Sequence, residues 1–321
     1  MSNQISALPR FWGRKCKILV TLTDGTVINS DGSSTSSAID VSPLRVVGTI
    51  EDYVTNSNNP CEITIYNLNK ETENLLLRQA DKLIIELGYE NDAIYGVVFR
   101  GMITSTSRSK ANVTDYILTL KALGDYDILA CGIVATTIRR GSNYRDLLEQ
   151  VASSSNLKVG EVPEGWGEDK QLSKGMSVLG KTKDVISGIA DSTNSMIRIS
   201  NGEINVVNLQ ETPKEAYELN YHTGLVGQPI QTNEGIDFQC LINPNLKLNS
   251  WVHINNNLIQ ETIADFGQVQ NPSLDVDGLY RIVSRRFEFD TRGNAWYIKC
   301  KAVTQTGGLP DFLQEGATQG I

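Results

Sequence analysis

Between residues 15 and 131 the apolar positions come in short bursts bounded by turn residues, not at helical spacing. The segments 17–23 (KILVTLT), 43–50, 61–66 (CEITIY), 82–89 (KLIIELGY), 95–104 (YGVVFRGMIT) and 114–123 predict strands, with Asp24-Gly25 as a strong turn signal after the first. Residues 30–37 (SDGSSTSS) are too polar to pack and predict a loop. The stretch 70–79 (KETENLLLRQ) breaks the pattern and predicts a short helix, with Asn69 placed to cap its first turn. A β-rich unit of this length with one helix suits a barrel or sandwich.

The texture changes near Cys131. Residues 144–152 (YRDLLEQVA) and 184–190 (DVISGIA) place apolar side chains at helical spacing. They align without gaps at an offset of 38: Asp146-Leu147-Leu148 on Asp184-Val185-Ile186, Val151-Ala152 on Ile189-Ala190, and Ser154-Ser155-Asn156 on Ser192-Thr193-Asn194. Each helix leads into an alternating piece, at 157–159 and 196–199. From about Tyr217 strands return, at 235–242 (GIDFQCLI), 251–254 (WVHI), 278–285 and 296–303 (WYIKCKAV). These echo the first unit: at an offset of 180, Gly101-Met102-Ile103 meets Arg281-Ile282-Val283, and Leu120-Lys121-Ala122-Leu123 meets Cys300-Lys301-Ala302-Val303. The expected organisation is an N-terminal arm (1–14), a first β-barrel domain (15–131), a small α/β domain with two helix–strand units (132–215), a second β-barrel domain (216–305) and a polar tail (306–321). The fold class is α+β, mainly β, with two related barrels around the α/β domain.

Composition narrows the function. With 40% hydrophobic and 21% charged residues, the 321-residue chain can bury a core, which excludes wholesale disorder. Its 29 basic and 37 acidic residues give a net charge of −8, which argues against a protein that wraps nucleic acid. No apolar run is long enough for a transmembrane helix, and the start, MSNQISALPRFWGRKCKILV, does not read as a signal peptide. Cys16, Cys61, Cys131, Cys240 and Cys300 form no CxxC pair and read as small hydrophobes in a reducing compartment.

One string matches a chemical motif literally. GMSVLGKT at 175–182 fits G-x-x-x-x-G-K-[ST]. In a P-loop, Gly175 and Gly180 let backbone N–H groups cradle phosphates, Lys181 reaches the β/γ-phosphates and the Thr182 hydroxyl holds Mg²⁺. Context opposes that role, because a P-loop leaves a buried parallel strand and residues 167–174 (GEDKQLSK) are polar. The repeat offers a plainer reading: Gly180-Lys181-Thr182 starts a helix as Gly141-Ser142-Asn143 does, with Thr182 as N-cap. The match is read as chance, and no cofactor is assigned. His222 and His253 lack an i, i+4 partner, so neither reads as a metal or catalytic residue. Asp275-Val-Asp277-Gly278 opens like a calcium loop, but Arg286 stands where its closing Glu belongs. Glu288 and Asp290 alternate onto what reads as one exposed strand face. No G-x-S-x-G elbow is present, and the chain does not read as an enzyme.

The segment order does resemble a family. Cys61-Glu-Ile-Thr-Ile-Tyr-Asn-Leu-Asn69 with its short helix, then Lys82-Leu-Ile-Ile-Glu-Leu-Gly-Tyr89 and Val98-Phe-Arg-Gly-Met-Ile103, resembles the first barrel of baseplate hub proteins, the central tail proteins of contractile-tailed phages. Gly224-Leu-Val-Gly227, residues 235–244 with Leu248, Trp251-Val-His-Ile254, Gly278-Leu-Tyr-Arg-Ile-Val283 and residues 296–303 are similar to the second. The likeness is one of pattern over about residues 15–305; the insert at 30–37 and the Walker-like string depart from it. The resemblance implies a structural virion protein, made in the host cytoplasm: a homotrimeric ring between tail tube protein and central spike protein. It also implies tape measure and baseplate wedge proteins as further contacts. Six tube-like barrels, two per subunit, would match a sixfold tube on one side and a trimeric spike on the other. Barrel strands would pair or pack across subunits, and an acidic bore would let DNA pass without specific binding. No membrane insertion is implied, and the same part recurs in phage-tail-like bacteriocins and other injection machines. Two other classes stay open: a P-loop nucleotide-binding enzyme centred on Lys181, and a β-rich receptor- or carbohydrate-binding tail protein using Trp166, Trp251 and Trp296. Aromatic residues in strand patterns more often fill cores.

Overall fold

The structure, a computed structural model, describes residues 11–23, 38–54, 59–90, 94–169, 171–207, 216–232, 235–260 and 277–304. The Asp24-Gly25 turn, the 30–37 loop, most of the arm and the tail lie outside the described residues, as does Asp275. The first β-rich stretch forms β1 (Arg14–Leu22), β2 (Ala38–Asp40), β3 (Val46–Tyr53), β4 (Pro60–Tyr66), α1 (Lys70–Gln79), β5 (Ala80–Tyr89), β6 (Tyr95–Lys110) and β7 (Tyr116–Gly124). Alternation decides the strands: in β3, Val46, Gly48, Ile50 and Asp52 are buried while the intervening positions stay half-exposed. The α1 helix starts where Asn69 accepts from the Thr72 N–H at 2.8 Å, with Glu71 and Glu73 complementing the dipole in its first turn. Its Leu76 is fully buried against the sheet.

The middle of the chain forms α2 (Tyr126–Cys131), β8 (Ile133–Ile138), α3 (Tyr144–Ser154), β9 (Lys158–Val159), β10 (Met176–Lys181), α4 (Thr182–Thr193), β11 (Met196–Ser200) and β12 (Glu203–Val207). The offset of 38 seen in the sequence is physical here. Asn143 and Lys181 are the N-cap residues, and Asn156 and Asn194 stand in the left-handed region after the two helices, with φ of 54° and 49°. β8 pairs with β10, and β9 and β11 flank β12. The N-cap assignment to Thr182 is thus one residue off. Lys181 takes that position without a side-chain cap, and Thr182 enters the helix fully buried, because the repeat equates Ser142-Asn143 with Gly180-Lys181.

The last stretch forms β13 (Tyr217–Glu218), β14 (Leu225–Thr232), β15 (Gly235–Leu241), β16 (Trp251–His253), β17 (Leu279–Asp290) and β18 (Trp296–Thr304). Five strands of each β-rich stretch follow one order, β3-β4-β7-β6-β5 and β14-β15-β18-β17-β16. A bulge interrupts both long strands at the same rung: Ile103 faces Ala122 and Ser105 faces Lys121, while Ile282 faces Ala302 and Ser284 faces Lys301. The offset is therefore 180 between β7 and β18 but 179 between β6 and β17, so Ile103 corresponds to Ile282 and not to Val283. The two halves join edge to edge, since the outer half of β17 pairs antiparallel with β3 from Ser284↔Tyr53 to Asp290↔Val47. A single 13-stranded sheet results. At this seam Gly48 lies opposite Phe289, and a Cβ there would collide with the Phe289 ring and Ile63. Apolar residues of both halves share one core; a second core lies under α3 and α4 around Leu148, Val151 and Ile189.

Candidate functional site

Three parts of the chain meet at a buried cluster of charges. Asp52 on β3, Arg285 on β17 and Arg198 on β11 are only 3%, 5% and 8% exposed. Arg285 Nε donates to Asp52 Oδ2 at 2.7 Å and Arg285 Nη1 to the Leu246 carbonyl at 2.6 Å; Arg198 Nη2 donates to the other Asp52 oxygen. Arg198 Nε has no partner. Burial pulls the Arg198 pKa down, and the facing Asp52 carboxylate opposes this. One carboxylate therefore ties both β-halves to the α/β part. Beside it opens a cleft of about 500 Å³ bounded by Glu86, Arg100, Lys158, Asn205, Lys247 and Arg285.

A second buried acid completes the junction. Asp125, at the end of β7 with φ 47°, accepts the Gly202 N–H at 3.0 Å from the β11–β12 turn. Burial pushes its carboxyl up to about 6, against the Gly202 and Asn201 N–H groups and the nearby Arg100. Sequence reasoning missed all four residues. A signal existed in strand parity: Asp52 continues the buried series Val46, Gly48, Ile50, and Arg285 lies in series with Val283, Phe287 and Phe289.

The outward face of the central strands carries charges in cross-strand pairs. Lys121 lies 3.4 Å from Glu62, Arg286 3.2 Å from Glu51, and Lys299 2.9 Å from Glu288. Asp237 faces Lys301 across β15 and β18. These are four acids against four bases.

The residues singled out by the sequence fall elsewhere. Gly175 precedes β10, and residues 176–181 run as a strand antiparallel to β8, Met176↔Ile138 to Lys181↔Ile133. Their backbone is extended along that ladder rather than wrapped around an anion. The Thr182 hydroxyl is buried 3.4 Å from Ser155 Oγ, away from the exposed Lys181. His222 is exposed on a turn; His253 Nδ1 lies 2.5 Å from Glu218 Oε2 at the surface. Among the described residues no three His, Cys, Asp or Glu side chains group as a metal site. The exposed reading of Asp290 is corrected: it is 7% exposed, because Arg45 closes over it at 2.7 Å and its carboxylate accepts the Arg292 and Gly293 N–H groups. Of the three tryptophans, Trp296 is buried, Trp166 packs on the second core with its Nε1 donating to Ser195, and Trp251 is half-buried with the Arg281 guanidinium 5.8 Å from its ring centre.

Known proteins place this architecture. A family model described as Baseplate hub gp41 matches residues 25–302. No curated protein matches. The 43 kDa tail protein of prophage MuSo2 from Shewanella oneidensis has the same fold, with a TM-score of 0.51 at 7% identity over 91% of this chain and 97% of its own. A tail protein from Neisseria meningitidis MC58 scores 0.48 at 10% identity, covering 91% and 96%.

Proposed function

Since the chain belongs to the baseplate hub gp41 family, and is by that membership a structural component of the virion tail, we propose that it acts as a homotrimeric hub between tail tube and central spike. The observation that carries this reading is the duplicated strand order with its matching bulge. Three copies then present six equivalent units, which suits a sixfold tube, while the ring keeps threefold symmetry for a trimeric spike. We divide the subunit into the β-units 15–131 and 216–305 around the α/β domain 132–215. The outward face of β3, β4, β7, β15, β17 and β18 runs unbroken across the seam inside each subunit, and we assign it to the channel through which DNA is ejected. Its paired charges offer phosphates no net cationic surface.

Mass photometry of the purified protein, alone and with its spike protein, tests the reading. A trimer is expected. A strictly monomeric species at micromolar concentration, with no assembly on adding spike, overturns it.

A further inference from the structure

The internal repeat leaves one seam unmatched. Within a subunit, the outer half of β17 pairs with β3. The counterpart of that half-strand, Ser105–Lys110 of β6, pairs with β7 on one edge. On its other edge it makes no backbone hydrogen bond among the described residues. The counterpart of β3 is β14, the terminal strand of the sheet. The repeat therefore provides both halves of a second seam, one on the outer half of β6 and one on β14.

We infer that β6 of one copy pairs antiparallel with β14 of the next, so that seams within and between subunits alternate around the ring. This rests on the trimeric hub reading and goes beyond it by fixing the strands and their register. The ladders carry the register over residue by residue. Phe287 and Glu288 of β17 face Ile50 and Thr49 of β3. Their counterparts in β6 are Arg108 and Ser109, because these face Leu118 and Ile117 as Phe287 and Glu288 face Ile298 and Tyr297. Ile50 and Thr49 face Cys61 and Glu62; the counterparts of those two, Ile236 and Asp237, face Gln231 and Ile230. Arg108 thus lies opposite Gln231 of the neighbouring copy, and Ser109 opposite its Ile230.

Both edges are dressed as strands that must stay soluble before assembly. The β6 half-strand is Ser-Thr-Ser-Arg-Ser-Lys, almost wholly exposed, while β14 contains Pro229 and a bulge between Val226 and Ile230. Gln260 of the same chain holds the β14 edge by two hydrogen bonds, donating to the Pro229 carbonyl at 2.8 Å and accepting the Gln231 N–H at 3.0 Å. The inferred ladder displaces this short placeholder. The contact is heterologous, each copy giving β6 and receiving on β14, and three such contacts close a ring.

Opposed residues of an antiparallel pair lie roughly 4.5–5.5 Å apart at Cα, within disulfide range. The test is Ser109→Cys with Ile230→Cys in a Cys131→Ser background, oxidised and run on non-reducing SDS gels, with mass photometry in parallel. Covalent trimers from the double variant, and monomers from each single variant and from the out-of-register pair Ser105→Cys with Ile230→Cys, are expected. Trimers by mass photometry that give no covalent species, or that link equally well out of register, overturn the inferred seam and leave the trimeric hub standing. A monomer that never assembles overturns both.

Discussion

Replacing Asp52 with alanine removes the one anion between two buried guanidinium groups. Arg285 and Arg198 are 5% and 8% exposed, and both point donors at this carboxylate. Breaking a buried ion pair by deleting one partner costs about 3–5 kcal/mol, since the remaining charge stays desolvated. Here two like charges remain, so the upper half of that range is expected. Asp52→Asn keeps an acceptor oxygen and should lose about half as much. The assay is urea unfolding followed by tryptophan fluorescence, read at the first transition because a chain with two cores need not unfold in one step. Adding Arg198→Met to Asp52→Ala should recover part of the loss, a coupling of about 1–3 kcal/mol. Asp52→Ala within about 1 kcal/mol of the parent, or no coupling with Arg198→Met, would refute the claim that this carboxylate fastens the three parts together.

Other expectations follow from the same geometry. Asp125 titrates near 6 in the folded protein, above its unfolded value of about 3.9, so its ionised form costs stability. Stability should gain on the order of 2–3 kcal/mol from this residue as pH falls from 8 to 4. Asp125→Asn should be more stable than the parent at pH 8 and flatten that dependence in urea titrations; a less stable variant at pH 8 would contradict the reading. Asp290 has the opposite sign. Burial raises its pKa, but Arg45 and the Arg292 and Gly293 N–H groups hold it below the ordinary range. Its contribution is therefore present above about pH 4 and lost below it. Asp290→Ala should cost about 2–4 kcal/mol at pH 7 by chemical denaturation, because it releases both the β17–β18 turn and Arg45. Thiol labelling by mass spectrometry should show Cys131 reacting first. It is the exposed cysteine, whereas burial raises the Cys61 pKa and contact with Cys300, then burial, raises that of Cys240.

Local rules made some elements readable and hid others. Helix α1 could be read with its boundaries because Asn69, the acidic first turn and Leu76 all act within about two turns of each other. The offset of 38 carried through to caps and left-handed asparagines for the same reason. The offset of 180 was right for β7 against β18 and one residue wrong for β6 against β17. A one-residue difference in the connecting turn is invisible until both ladders fix the register. The junction stayed hidden because Asp52, Arg198 and Arg285 come from segments up to 233 residues apart. A charge on a buried strand parity marks such a position, but its partner is set by tertiary pairing. Thr182 shows the reverse error: a good capping side chain was credited with the cap, while the fold used its hydroxyl inside the core.

Location also changes what the net charge can explain. A total of −8 suggests an acidic bore, yet the sheet face assigned to the channel carries four acids against four bases, six of these eight charges within 3.4 Å of an opposite charge. Segments 133–140 and 174–183, which contain β8 and β10 and the residues flanking them, hold five basic residues and no acid, which leaves 24 basic and 37 acidic residues, a balance of −13, elsewhere. The chain is thus polarised rather than uniformly acidic. A wall of mutually paired charges repels DNA weakly and grips it weakly, because each phosphate that approaches a lysine also approaches the carboxylate bonded to it. On the proposed channel assignment, passage without sticking depends on cross-strand pairing and not on excess acidity. Charge neutralisation on one side only, as in Glu62→Gln with Glu51→Gln, should create DNA retention on heparin and DNA columns, where a uniformly acidic bore would merely repel less.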